Sequence, residues 1–199
     1  MAHKITVLAD HAPHGVPPRW DILPVAKLTC TGEGITQPIF TQAVLCYRPG
    51  DGLHIRMWAF ETAHALSPNS SVLTAAFAPN PDRTKDFIVV RFSQDGITDA
   101  YTVTRGAAPA AVDWDGLTFS LFSGEDLQGE YWGGTFILPQ GLLKARFGIT
   151  NYLGGECVGG NLHHASKSSG NAEFSTLYPI TGTDINTPSC FGGFELIAY

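Results

Sequence analysis

A hairpin written into residues 43–60 constrains this chain more than any other feature. The apolar run 43–47 is closed by Arg48-Pro49-Gly50-Asp51-Gly52, a concentration of turn formers, and the chain resumes as Leu53-His54-Ile55-Arg56-Met57-Trp58-Ala59-Phe60. Pro and Gly together reverse a chain sharply because one fixes φ and the other accepts φ values closed to other residues. In the second strand a period of two puts Leu53, Ile55, Met57 and Ala59 on one face and His54, Arg56, Trp58 and Phe60 on the other. One of these faces is core.

The same signals recur along the chain. Candidate strands cover 72–78, 87–93 with the turn Gln94-Asp95-Gly96, 100–104, 117–122, 131–138, 146–151 and 193–198. Helical periodicity is weak, with one short helical turn expected over 139–144. The 22 glycines and 13 prolines are spread through the sequence rather than gathered into a linker. Roughly nine or ten short strands with turns between them predict one all-β domain over 1–199, a two-sheet antiparallel β-sandwich. Residues 1–24, with Pro13, Pro17 and Pro18, are expected as an extended lead-in that pins an edge. The stretch 154–174, rich in Gly, Ser and Asn, is expected as a long loop that either carries function or is a mobile insertion.

Hydrophobic residues at 44% against 15% charged describe a globular interior, and a net charge of −6 argues against a nucleic-acid partner. No stretch is long and apolar enough to span a bilayer or to act as a secretory signal. Cys30, Cys46, Cys157 and Cys190 are widely spaced with no CxxC pair. They are expected as free thiols in a reducing cytoplasm, with secretion of a mature fragment as the alternative.

The C-terminal third carries an ordered series: Tyr131-Trp132-Gly133, Phe136-Ile137-Leu138-Pro139, Leu142-Leu143, Phe147-Gly148, Gly160-Asn161, Tyr178-Pro179-Ile180 and Pro188-Ser189-Cys190-Phe191-Gly192. Earlier, Trp20, Leu53-His54-Ile55-Arg56 with Glu61, and Ser70-Ser71-Val72 running to Pro79 fall at matching spacing. In this order the chain resembles the carbohydrate-binding family nine-like proteins, relatives of the family nine carbohydrate-binding modules with a DOMON-like sandwich fold. The resemblance implies a β-sandwich that holds sugars between aromatic rings, often with structural calcium nearby. The chain departs from the pattern at Leu177, where a tryptophan is usual, and at Glu173, where a histidine is usual. It lacks the histidine expected before Pro188, and the acids expected around Ser70 and Thr74. These departures imply a fold kept more firmly than its site.

Sugars require aromatic faces for their C–H patches together with amides, carboxylates or guanidinium groups for their hydroxyls. Arg56 with Trp58, Tyr101 with Arg105, and Asn151 with Tyr152 are expected to line a common concave sheet. The candidate carbohydrate-binding residues are Arg56, Trp58, Arg91, Tyr101, Asn161 and Tyr178. The bland reading buries Trp58 under a loop and pairs Arg56 with Glu61 or another acid; Trp132 reads as core.

Two other classes compete with this binding reading. His11, His14, His163 and His164 are candidate ligands of a metal-binding protein or metal-dependent enzyme, although adjacent histidines on an extended chain point in opposite directions. A purely structural or assembly domain is the third reading. No GxSxG elbow, paired-carboxylate spacing or Cys-His signature stands out, so no catalytic residue is assigned, and Cys190 reads as a small buried hydrophobe. Asp113-Trp114-Asp115-Gly116 offers two carboxylates to calcium but reads more simply as a turn.

Overall fold

The computed structural model describes residues 2–8, 16–31, 39–61, 70–83, 85–104, 107–112, 117–167, 173–180 and 186–198. In chain order these form β1 (His3–Val7), β2 (Val25–Lys27), β3 (Cys30–Thr31), β4 (Thr41–Arg48), β5 (Gly52–Ala59), β6 (Ser71–Ala78) and β7 (Phe87–Ser93). They continue as β8 (Gly96–Val103), β9 (Ala110–Ala111), β10 (Phe119–Asp126), β11 (Gly129–Pro139), α1 (Gln140–Phe147), β12 (Cys157–Ser166), β13 (Glu173–Thr176) and β14 (Gly192–Ala198).

The strands pair in the order β10-β11-β5-β4-β1-β14-β12-β6-β7-β8-β9, with β2 beside β4, and β13 linking β12 to β3. This long sheet curls until its two halves face each other across one core, which is the expected all-β sandwich. The alternation seen in the sequence decides what each half contributes. Ala43, Leu45, Tyr47, Leu53, Ile55, Met57, Trp132, Phe136 and Leu138 point inward from β4, β5 and β11. Leu73, Ala75, Phe77, Ile88, Val90, Phe92, Leu162 and Phe194 meet them from β6, β7, β12 and β14. The Phe92 ring stands edge-on to Phe119, Trp132 and Phe136 at 5.5, 6.3 and 6.0 Å, joining the two halves with quadrupole-favoured contacts.

Pairing is antiparallel everywhere except at β1, which runs parallel to both β14 and β4. Residues 1–24 therefore do more than pin an edge: their first strand is paired on both sides and joins the two halves. The hairpin at 48–52 forms as expected, with Gly50 at φ 80° and Gly52 at φ 133°. Gly52 also lets the end of β11 approach, since a Cβ there would lie 2.1 Å from the Leu138 carbonyl oxygen.

Two expectations are corrected. Residues 146–151 do not form a strand, because α1 continues to Phe147 and ends at Gly148 in the left-handed conformation, φ 74°. Leu143 and Phe147, four apart, bury one face of that helix. The stretch 154–174 is not one long loop, since ten of its residues form β12, paired with β6, β13 and β14. Its glycines serve packing: a Cβ on Gly160 would come within 2.7 Å of both the Ala76 carbonyl oxygen and the Phe77 ring.

If β1 holds the halves together, Ile5, fully buried at 0% exposure, is a point of failure. Ile5→Ala should lower the unfolding free energy by about 2–5 kcal/mol, read as a drop in urea midpoint at constant m-value.

Candidate functional site

The outward-facing residues of the first half assemble a hollow of about 320 Å³ over β4, β5, β10 and β11. Cross-strand register places its floor. Trp58 lies opposite Gln42 on β4 and Gly133 on β11, and Arg56 lies opposite Val44 and Thr135. Phe122 on β10 lies opposite Gly133. Gly133 has to be glycine, because a Cβ would sit 2.2 Å from the Met57 carbonyl oxygen and 2.8 Å from the Phe122 ring. The segment leading into β2 forms a 3-10 turn, Trp20–Ile22, which lays Trp20 and Asp21 along the rim.

At the centre is Arg56. Its guanidinium carbon lies 4.1 Å from the Phe122 ring centroid and 6.0 Å from that of Trp20, two cation–π contacts on a partly buried cation. Burial lowers its pKa, opposed by nearby Tyr131, but a guanidinium stays charged throughout the accessible range. Glu61 is not its partner. Neither Arg56 nor the Gln42 amide forms a hydrogen bond or ion pair with any described residue. Aromatic rings continue outward: Phe122 contacts Tyr131 at 6.4 Å, Tyr131 contacts Phe60 at 5.6 Å, and Phe60 stacks on Phe40 at 5.2 Å. Trp20 and Trp58 both pack against the cluster of Leu23, Val44 and Cys46.

The other candidates do not join this group. Arg91 and Tyr101 face outward from β7 and β8, on the opposite side of the sandwich, so Tyr101 does not share one concave sheet with Arg56 and Trp58, and neither does Tyr152, which is buried with its hydroxyl donating to the Pro79 carbonyl. Arg91 donates to Asp99 at 3.2 Å and lies 5.8 Å from the Tyr101 ring centroid, beside a hollow of about 570 Å³ that also carries Asp95. Thr74, where the resemblance expects an acid, is the cross-strand neighbour of both Arg91 and His163, and Leu177, where it expects tryptophan, packs against the core. Asn161 is 1% exposed and its amide is fully engaged: the NH₂ donates to the carbonyls of Tyr178 and Cys190, and the oxygen accepts from the N–H groups of Leu162 and Tyr178. Tyr178 lies under Gly192, accepts from the His3 N–H and donates to the Gly193 carbonyl. Both clasp the chain and line neither hollow. Arg105 and Asp113-Trp114-Asp115-Gly116 lie outside the described residues.

The histidines separate in the same way. His11 and His14 lie outside the described residues. His163 and His164 point to opposite sides of β12, so they cannot meet on one ion. His164 faces inward into a buried polar cluster, 3.3 Å from Glu61, and its Nδ1 is 3.0 Å from the Thr41 hydroxyl. Glu61 accepts from Ser71 at 2.5 Å, Ser166 at 2.6 Å and Trp132 Nε1 at 3.2 Å. Burial alone would raise the Glu61 carboxyl, but the hydrogen bonds from His164, Ser166 and Ser71 outweigh it and hold it at about 2. Although serine, histidine and carboxylate meet here, Ser71, His164 and Glu61 are 2%, 2% and 8% exposed, and the carboxylate takes the serine proton itself. The cluster closes one end of the core. Among the described residues no three carboxylates, imidazoles or thiolates converge on a metal position.

No family model and no curated protein matches the sequence. Solved structures do match. A family nine carbohydrate-binding module from Caldicellulosiruptor kristjanssonii in complex with cellotriose superposes at a TM-score of 0.66 and 12% identity, over 100% of this chain and 95% of that one. The chain has the fold of a family nine carbohydrate-binding module. A module from the same organism in complex with glucose gives a TM-score of 0.64 at 13% identity, covering 100% and 97% of the two chains. A candidate carbohydrate-binding protein from Bacteroides uniformis gives 0.68 at 13%, covering 98% and 97%.

Trp20, Gln42, Phe122 and Tyr131 line the hollow with Arg56 and Trp58, and sequence reasoning did not single them out as candidates. The alternation that buried Trp132 already assigned Tyr131, Gly133 and Thr135 to the opposite face; nothing local marked the other three. His163 gives a pH prediction. Burial, opposed by its hydrogen bond with Asn186 at 3.1 Å, holds its pKa at about 4. Its folded form is neutral while the unfolded chain binds a proton near pH 6.5, so its contribution is present above that value and is lost as pH falls toward 4. Measured by urea unfolding, the wild type should lose roughly 3 kcal/mol relative to His163→Gln between pH 7.5 and pH 4.

Proposed function

We propose that the protein binds carbohydrate on the outer face of β4, β5, β10 and β11. The observation that carries this reading is the Arg56 guanidinium, 4.1 Å from the Phe122 ring centroid and 6.0 Å from that of Trp20, with no hydrogen-bond or ion-pair partner among the described residues. A sugar supplies what this arrangement lacks: hydroxyl acceptors for a cation already oriented by its neighbours, and C–H faces for exposed ring surface. Gln42 adds an amide, and Asp21 and Asp126 add acceptors at the rim. With two carboxylates beside one free arginine, a polyhydroxyl ligand fits better than an anion. The binding of cellotriose and glucose by structural neighbours supports the same ligand class.

Isothermal titration of the purified protein against a panel of mono- and oligosaccharides tests this. Trp58→Ala and Arg56→Ala should each weaken the best binder about tenfold or more. Tyr101→Ala, on the opposite side, should leave its affinity unchanged; a loss at Tyr101 with none at Trp58 would move the site to the other face.

A further inference from the structure

Trp20 lines a second hollow as well, of about 280 Å³, on the same outer face. The two hollows lie along the same strands. On β5 the outward residues run His54, Arg56, Trp58; on β11 they run Ile137, Thr135, Gly133; along β10 and the residue before it they run Thr118, Ser120, Phe122. Arg56 and Trp58 line the first hollow and His54 the second. Trp58 stands four positions beyond His54, roughly 13 Å along an extended strand, longer than one pyranose ring.

The second hollow has the same two kinds of surface. Its polar side carries the hydroxyls of Thr118, Ser120 and Thr135 with the His54–Asp51 pair, in which Nε2 and Oδ2 are 3.0 Å apart. Its apolar side is Ile137 and the segment 16–18, anchored where the buried Arg48 guanidinium donates to the Val16 carbonyl at 2.8 Å. A lining that combines polar and apolar groups suits a ring with an equatorial rim of hydroxyls and C–H faces.

We propose that this hollow is a second glycan subsite, so that the outer face takes a linear chain of at least two sugar residues laid along the strands, with Trp20 contacting both. The proposal rests on the carbohydrate reading above and adds the form of the ligand: a run of linked sugars rather than a lone ring. Once the first ring is bound, the second binds intramolecularly, so affinity rises with chain length until both hollows are filled.

The test is calorimetric titration of the whole protein with cello-, xylo- and manno-oligosaccharides of one to four units, on wild type and Ser120→Trp. Ser120 is exposed on β10, so the large ring fills the second hollow without entering the core; Thr118→Trp, equally exposed, is the second variant. In the series that binds, affinity should rise about tenfold or more between one and three units in the wild type. Either tryptophan should flatten that rise while leaving the single sugar unchanged. Affinity independent of length, or a rise that both variants preserve, would overturn the second subsite and leave the carbohydrate reading standing. Absence of binding to every member of all three series would remove the carbohydrate reading, and the subsite with it.

Discussion

The pairing of β1 with β4 on one side and β14 on the other is the contact on which the rest of this structure depends. It is where the strand order crosses from one half of the sheet to the other, and where the antiparallel pattern gives way to parallel pairing. With the halves joined there and closed over Phe92, Trp132 and Phe136, each strand has one dry face and one outward face. The candidate site belongs to the outward face of β4, β5, β10 and β11. It is preorganised because the residues beneath it, Leu45, Ile55 and Phe136, are fully buried at 0% exposure.

The buried polar cluster around Glu61 has a complementary role. A carboxylate under the sheet is costly unless its lone pairs are used, and here three hydroxyl or ring donors and an imidazole use them. Because Glu61 is satisfied inside, it does not compete for Arg56 outside. That Arg56 has no ion-pair partner among the described residues accords with where these acids lie: Glu61 inside the core, Asp99 on the opposite face with Arg91, and Asp21 at the rim paired with Arg19 at 2.9 Å.

The sequence was most legible where the period of two was clean. Leu53 through Ala59 gave both the core face of β5 and, on the other face, Arg56 and Trp58. It was least legible in β12, where Gly159 and Gly160 imitate a loop although they allow β6 and Phe194 to approach. Asn161 and Tyr178 look like ligand-binding residues by type, and only their hydrogen bonds reveal that they clasp the chain. Trp20, Phe122 and Tyr131 reach Arg56 from a 3-10 turn and two strands remote in sequence, so no local pattern announces their meeting.

If ligand meets the protein at Arg56, Trp58 and Trp20, the indole N–H resonances report on the contact directly. Trp132 donates its N–H to Glu61 inside the core and serves as an internal reference. In a nitrogen–proton correlation spectrum recorded during titration with the best-binding oligosaccharide, the Trp20 and Trp58 indole signals should shift in a saturable manner while that of Trp132 stays fixed. Saturable shifts confined to backbone amides around Arg91 and Tyr101, with the Trp20 and Trp58 signals unmoved, would contradict the account.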